Sequence, residues 1–182
     1  MTGMSITTRG GDDGSTRLFS GETVSKASAR PAAYGAIDEL VAMLGLARCH
    51  CRPETGEELV CLQRELFRVG SELATTEAGL ARLPQRVDAA FLASLDARRD
   101  AVEAVVEMPT GFVLPGADPA SAYLEVARTL CRRAERHAVG LMEAGELANP
   151  IVVQWLNRLS DHLWLLARRE ETQTLLVKEP PQ

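Results

Sequence analysis

The stretch Pro31-Ala-Ala-Tyr-Gly-Ala-Ile-Asp-Glu-Leu-Val-Ala-Met-Leu-Gly-Leu46 decides the fold. Its apolar residues Tyr34, Ile37, Leu40, Val41 and Leu44 recur three and four positions apart, the spacing of one helical face, and Pro31 suits a helix's first turn. A helix from Pro31 to about Cys49 follows. The same period continues outward: Leu59, Leu62, Leu66, Val69 and Leu73 predict a second helix from near Glu54, and Val87, Phe91, Leu95 and Val102 a third after Pro84. A fourth is expected over Pro119 to Glu143 and a fifth over Pro150 to Glu171, with Gly79–Pro84 and Gly145–Asn149 as connections. Phe112-Val113-Leu114, between Met108-Pro109-Thr110-Gly111 and Pro115-Gly116, is too short for a helix. The expectation is one all-α domain over residues 1–182: a Gly-, Thr-, Ser- and Asp-rich loop over 1–28, a five-helix bundle over about 31–171, and a tail over 172–182, frayed from Lys178.

Composition agrees. The chain has 182 residues, 46% hydrophobic, 25% charged and only 4% aromatic, which suits a folded core and favours helix over sheet. Twenty Lys plus Arg against 25 Asp plus Glu give a net charge of −5, without the basic excess that binding a nucleic-acid backbone brings. No apolar run reaches a bilayer's thickness, and Met1 to Thr8 lack the apolar core of a signal peptide, so no membrane association and a cytoplasmic setting are expected. Cys49, Cys51, Cys61 and Cys131 follow no secreted-domain pattern and read as reduced thiols. Cys49-His50-Cys51 is spaced too tightly for an ordinary zinc knuckle; a helix exit with one buried thiol and an exposed His50 is the reading taken, and no bound metal site is assigned.

Chemistry concentrates in three places. Arg128, Arg132 and Glu135 share one face of helix four, and Arg133 and Arg136 thicken the charge there, a clamp suited to polyphosphate. A solvated face laced with Arg–Glu pairs fits the same spacing. Helix five sets Asn157, Asp161, Trp164 and Arg168 beside an apolar row, as ligand contacts or as solvated surface. Glycines in Thr8-Arg-Gly-Gly-Asp-Asp-Gly-Ser-Thr16 allow backbone N–H groups to form an anion nest, although the order is not that of a Walker loop.

Taken together, three blocks resemble the ATP:cob(I)alamin adenosyltransferase family of the trimeric, propanediol-utilisation type: Thr8–Thr16 with Lys26; Ala-Tyr-Gly-Ala-Ile-Asp-Glu-Leu over 33–40; and Arg-Thr-Leu-Cys-Arg-Arg-Ala-Glu-Arg over 128–136 with Leu-Asn-Arg-Leu-Ser-Asp over 156–161. The resemblance spans Thr8 to about Arg168. It implies a homotrimeric five-helix bundle with a Gly-rich N-terminal nucleotide-binding loop, and transfer of the 5′-deoxyadenosyl group of ATP to the cobalt of reduced cob(I)alamin. ATP contacts are implied for Thr8, Arg9, Gly10, Gly11, Thr16, Arg17, Lys26, Arg132, Arg133, Glu135, Arg136 and Asn157, and a corrinoid (cobalamin) contact for Phe112. Arg128, paired across the subunit interface with Asp38, and Arg132 are the implied catalytic set. Mg²⁺ is the implied companion of ATP; a flavoprotein reductase and an adenosylcobalamin-dependent enzyme are the implied protein partners. Unaided by the family, Phe112 reads as an apolar loop residue capping the bundle.

Because cobalt is the nucleophile, no protein nucleophile is needed, in keeping with only three histidines and no persuasive Ser/His/Asp arrangement. The chain departs from the family at Ser28, Ala117 and His137, where an acidic residue, a glycine and a basic residue are common; affinity and rate are the properties these touch. A non-catalytic bundle that binds and delivers nucleotide or corrinoid is the alternative. A di-iron bundle fails for want of any Glu-x-x-His pair.

Overall fold

The computed structural model describes residue 7 and residues 9–178. Five long helices form: α1 (Ala29–Arg48), α2 (Pro53–Leu73), α3 (Ala89–Glu103), α4 (Pro119–Glu143) and α5 (Pro150–Glu170). Helices α2, α4 and α5 start on prolines, whose missing N–H costs nothing in a first turn. The carboxylate of Asp88 accepts from Phe91 N at 2.8 Å and the side chain of Asn149 from Ile151 N at 3.1 Å, capping α3 and α5. Asp88 explains why α3 begins only at Ala89, five residues after Pro84. Helix α4 ends at Glu143 and the chain turns away at Gly145, whose φ of 71° is cheap only for glycine.

Two expectations are corrected. The front is not all loop: β1 (Ser15–Arg17) and β2 (Thr23–Ser25) pair antiparallel, Thr16 opposite Val24. Three-residue strands carry too little alternation to show in the sequence. Residues 79–82 of the expected 79–84 connection lie in a 3₁₀ helix over Glu77–Arg82. The tail is anchored too: Val177 N donates to Phe112 O at 2.8 Å and Leu114 N to Leu175 O at 2.7 Å, around a Val113–Leu176 bridge. Residues 179–182, the rest of the tail expected to fray, lie outside the described residues.

The apolar faces meet in one core, with Leu40, Leu44, Leu59, Leu62, Leu66, Leu124, Leu156 and Leu163 among the fully buried side chains. Truncating any of them to alanine costs about 2–5 kcal/mol. Phe91 stacks on the buried Trp155 at 5.2 Å, locking α3 to α5. Helix α4 packs chiefly against α1 and α5, and between Leu124 and Leu141 the apolar residues it buries are small: Ala127, Cys131, Ala134 and Ala138. The backbone therefore lies close to its neighbours, and the arginines on its other face stand at a fixed height.

Buried polar residues join the ends of the bundle. Arg30 donates to Leu73 O at 2.9 Å, Thr75 O at 2.8 Å and Glu146 O, tying the start of α1 to the end of α2 and the α4–α5 turn. Glu72 accepts from Val87 N at 2.7 Å, Asn149 Nδ2 at 2.8 Å and Arg86 at 3.1 Å. Periodicity assigns charged residues to the outside, so neither junction was foreseen.

Candidate active site

The β1–β2 ribbon builds a cradle. Asp12 N reaches Arg9 O at 3.4 Å and Gly14 N reaches Gly11 O at 3.2 Å, while Lys26 returns its N–H to Gly14 O at 2.9 Å and its ammonium to Gly11 O at 2.6 Å. Gly11 has no room for a side chain: a Cβ would meet Lys26 Nζ and Ser15 O, both at 2.9 Å. Hydrogen bonds from the Ser15 hydroxyl and amide hold the Asp13 carboxyl below its usual range. A cavity of about 460 Å³ opens here, walled by Gly10, Gly11, Ser15, Thr16, Arg17 and Lys26. Five residues expected at the nucleotide, Gly10, Gly11, Thr16, Arg17 and Lys26, thus share one concavity; Arg9, in the left-handed region at φ 57°, lies one residue before it. Thr8 lies outside the described residues.

Docking of the ribbon is polar. Phe19 N donates to Ala74 O at 3.0 Å, Arg82 to Ser20 O at 2.7 Å, and Thr76 Oγ1 to Glu22 at 2.5 Å. The Ser20 and Thr76 hydroxyls pull Glu22 down to about 2. Gly79 permits the approach, since a Cβ there would fall 2.2 Å from Ser20 Cβ.

The second half of the site stands on α4 and α5. Part of the basic face is internally paired, as the solvated-face reading required: Arg128 Nε binds Glu125 at 2.6 Å and Arg133 pairs with Glu39 of α1. Arg132 and Arg136, both exposed, form no hydrogen bond or ion pair with the described residues. Beside them Asn157 Nδ2 donates to Glu135 Oε1 at 3.1 Å, which joins two expected site residues across the α4–α5 seam. Asp161 is exposed, whereas Arg168, placed with it on one stripe, is buried under Trp164, its guanidinium 5.0 Å from the ring centroid.

Three placements bear on the expectations. Phe112 is 88% exposed, so it caps nothing; the ribbon with Leu175–Val177 presents it to solvent. Asp38, exposed on α1, makes no ion pair with Arg128 within the chain, and no ion pair among the described residues joins the front ribbon to α4. His50 is exposed and lies against Tyr123, while Cys51 is half-buried, so the thiol there is less enclosed than expected. Among the described residues no group of three or more His, Cys, Asp or Glu side chains could hold a metal ion. Nor is any helix there long and apolar enough to cross a membrane.

A helical bundle with a glycine-rich cradle beside Lys26 and, on one helix, guanidinium groups that have no partner among the described residues defines a class, the helical bundles whose site suits an anionic ligand. Comparison gives the family: residues 6–170 match the cobalamin adenosyltransferase model, and the chain belongs to that family. It is 41% identical over 168 residues to a corrinoid adenosyltransferase of Citrobacter freundii, covering 92% of this chain and 95% of the relative. With the Bacillus subtilis corrinoid adenosyltransferase it shares 37% over 170 residues, 91% of this chain and 86% of the relative. Corrinoid adenosyltransferase PduO of Salmonella typhimurium is 39% identical over 170 residues, which are 93% of this chain but 50% of that longer protein. Among solved structures, a variant PduO-type ATP:corrinoid adenosyltransferase from Lactobacillus reuteri, complexed with cobalamin and ATP, superposes with a TM-score of 0.85 at 32% identity, covering 96% of this chain and 100% of that one. Another variant of it, complexed with ATP, gives 0.84 at 33% identity, with the same coverage.

Proposed function

We propose that this chain is an ATP:corrinoid adenosyltransferase. It transfers the 5′-deoxyadenosyl group of ATP to the cobalt of a reduced corrinoid, cob(I)alamin, giving adenosylcobalamin and triphosphate. The cobalt(I) electron pair forms the Co–C bond at C5′, the C5′–O bond breaks, and its electron pair leaves on the triphosphate. The protein's task is to hold two substrates in line and to stabilise the charge that grows on the departing oxygen.

The observation that carries the reading is the pair Arg132 and Arg136, cations without a partner among the described residues of an acidic chain. They supply the stabilisation on one side of the triphosphate; Lys26 and the backbone N–H groups at Gly10 and Gly11 supply it on the other, with Thr8, Arg9, Thr16 and Arg17 completing the cradle. Asn157 and Glu135 orient the nucleotide, and Arg133 adds charge beside them. Mg²⁺ fits as a companion of ATP, since it commonly takes one or two carboxylates plus substrate phosphates, and Glu135 offers an oxygen that Asn157 does not engage. When bound, it neutralises phosphate charge.

Phe112 serves the corrinoid, its ring offering an apolar wall against the corrin face. The two halves of the site meet between copies of a homotrimer, Arg128 pairing with Asp38 of the partner subunit. The exposed Phe19 and Phe67 beside Asp38 on an apolar hollow of about 180 Å³ support this. The enzyme works in the cytoplasm, receiving its electron from a flavoprotein reductase and passing its product to an adenosylcobalamin-dependent enzyme.

The test is anaerobic: chemically reduced cobalamin and Mg-ATP with purified protein, following loss of the cob(I)alamin spectrum. ATP-dependent appearance of light-sensitive adenosylcobalamin with release of triphosphate is expected. Binding of ATP and corrinoid without turnover refutes the reading in favour of a carrier, and a monomer by sedimentation at assay concentration refutes the shared site.

A further inference from the structure

Beneath Arg128 lies a carboxylate to which neither spacing nor family drew attention. Glu125 is only 5% exposed and uses both oxygens: Oε2 accepts from Arg128 Nε at 2.6 Å, and Oε1 forms an ion pair with Arg168 Nη2 at 3.1 Å. Arg168 is itself fixed. Its side chain is 2% exposed, its Nη2 also reaches Glu171 at 2.6 Å, and its guanidinium lies over Trp164. A carboxylate on α4 is thus held from α5 and in turn holds Arg128 by one edge.

An exposed i, i+3 pair would deserve no comment, since such pairs fluctuate and contribute little. This one differs by the burial of Glu125 and by the second arginine brought from another helix. Taking a carboxylate out of water is costly, and an apolar side chain would fill the place as stably. What the carboxylate adds is direction. Held at Nε, the guanidinium loses the freedom of its long stem while its two terminal nitrogens, which have no partner among the described residues, stay available for a planar acceptor. Glu125 and Arg128 also wall a cavity of about 280 Å³ with Pro115 and Gly116, in the segment that follows Phe112.

We propose that Glu125 is a positioning residue for the adenosyl transfer: buttressed by Arg168, it orients the Arg128 guanidinium so that its free edge is presented to Asp38 of the partner subunit, next to the corrinoid side of the site. The proposal rests on the reading of Arg128 as part of the transferase site. Glu125 touches no substrate and acts through Arg128 alone.

A double-mutant cycle tests it, with thermal melts as a check on folding. Glu125→Ala is expected to lower kcat about 10- to 100-fold, the scale on which small misplacements of a reacting assembly act, while the KM for ATP moves less than about threefold. Arg128→Ala should lose as much, and the double variant should be within about twofold of Arg128→Ala, because a residue acting only through Arg128 has nothing left to do. Glu125→Gln keeps the shape and one oxygen acceptor, so it should fold and fall between wild type and Glu125→Ala; if Glu125→Ala does not fold, the cycle is run with Gln. Losses that multiply in the double variant, or wild-type kcat in the Glu125 variants, overturn the inference. A wild type without turnover refutes the transferase reading instead, and positioning is then read from the Arg128 Nε–H signal in ¹⁵N NMR. It should be protected from exchange in the wild type and exposed in Glu125→Gln; exchange as fast as that of Arg132 in the wild type overturns the inference.

Discussion

Replacing Gly11 by alanine tests the anion cradle at its tightest point. The added methyl would meet Lys26 Nζ at 2.9 Å, Lys26 Cε at 3.1 Å and Ser15 O at 2.9 Å. The lysine end is flexible and can swing away, at the loss of its 2.6 Å bond to Gly11 O; on an exposed loop that is worth about 1 kcal/mol. The carbonyl cannot move so freely, because Ser15 is paired with Ser25, and relieving that contact costs on the order of another 0.5–1 kcal/mol. Together about 1.5–2 kcal/mol act against the built conformation. Apparent affinity falls with the population of the competent state, so the KM for ATP should rise by about 10- to 30-fold. Steady-state kinetics at saturating reduced corrinoid measure it. Gly140→Ala is the control: nothing lies within 4 Å of its Cβ, so it should leave the KM unchanged. A Gly11→Ala enzyme with a KM within twofold of wild type would show that the nucleotide does not use this cradle.

Three further outcomes are expected. Arg30→Ala leaves three carbonyls without their donor in a buried junction and should cost about 3–5 kcal/mol, seen as a lower urea midpoint; a change under 1 kcal/mol would mean water replaces the guanidinium. Phe112→Ala removes an 88% exposed ring, so the melting temperature should hold within about 2 °C while the KM for corrinoid rises several-fold; equal losses of both would make Phe112 structural. Glu22 titrates near 2 in the folded ribbon against an ordinary 4.5, so its contribution is complete above about pH 4.5 and is lost as pH falls toward 2. Exchange protection of the Phe19 amide should decline over that window, and protection that is flat from pH 5 to 2 would contradict the assignment.

The helices were legible because each apolar stripe is carried by one continuous segment bounded by its own punctuation. Pro119 and Gly145 frame α4, and Pro150 with Asn149 opens α5. The cradle was half legible: its glycines and Lys26 stand together in sequence, but the strands between them are too short to announce themselves. Features formed across long separations were not legible. Phe112 meets Val177 with the whole of α4 and α5 between them, and no local period records such a pairing. Glu125, Arg168, Arg30 and Glu72 were missed for another reason: hydropathy places charge at the surface, and their burial depends on partners brought from elsewhere in the chain. Leu175-Leu176-Val177, an apolar run inside a polar tail, was the one usable signal of the second ribbon.

The small residues beneath α4 bear on how natural variation in this chain should be interpreted. Ala127, Cys131, Ala134 and Ala138 leave no space between that helix and its neighbours, so an inherited change of any of them to valine or leucine would act as a shim. It would tilt a row of guanidinium groups by a fraction of an ångström to an ångström without altering a single charge. Harmful variants need not map to residues that touch ATP or corrinoid, and a conservative-looking substitution facing inward can silence the site as surely as the loss of an arginine.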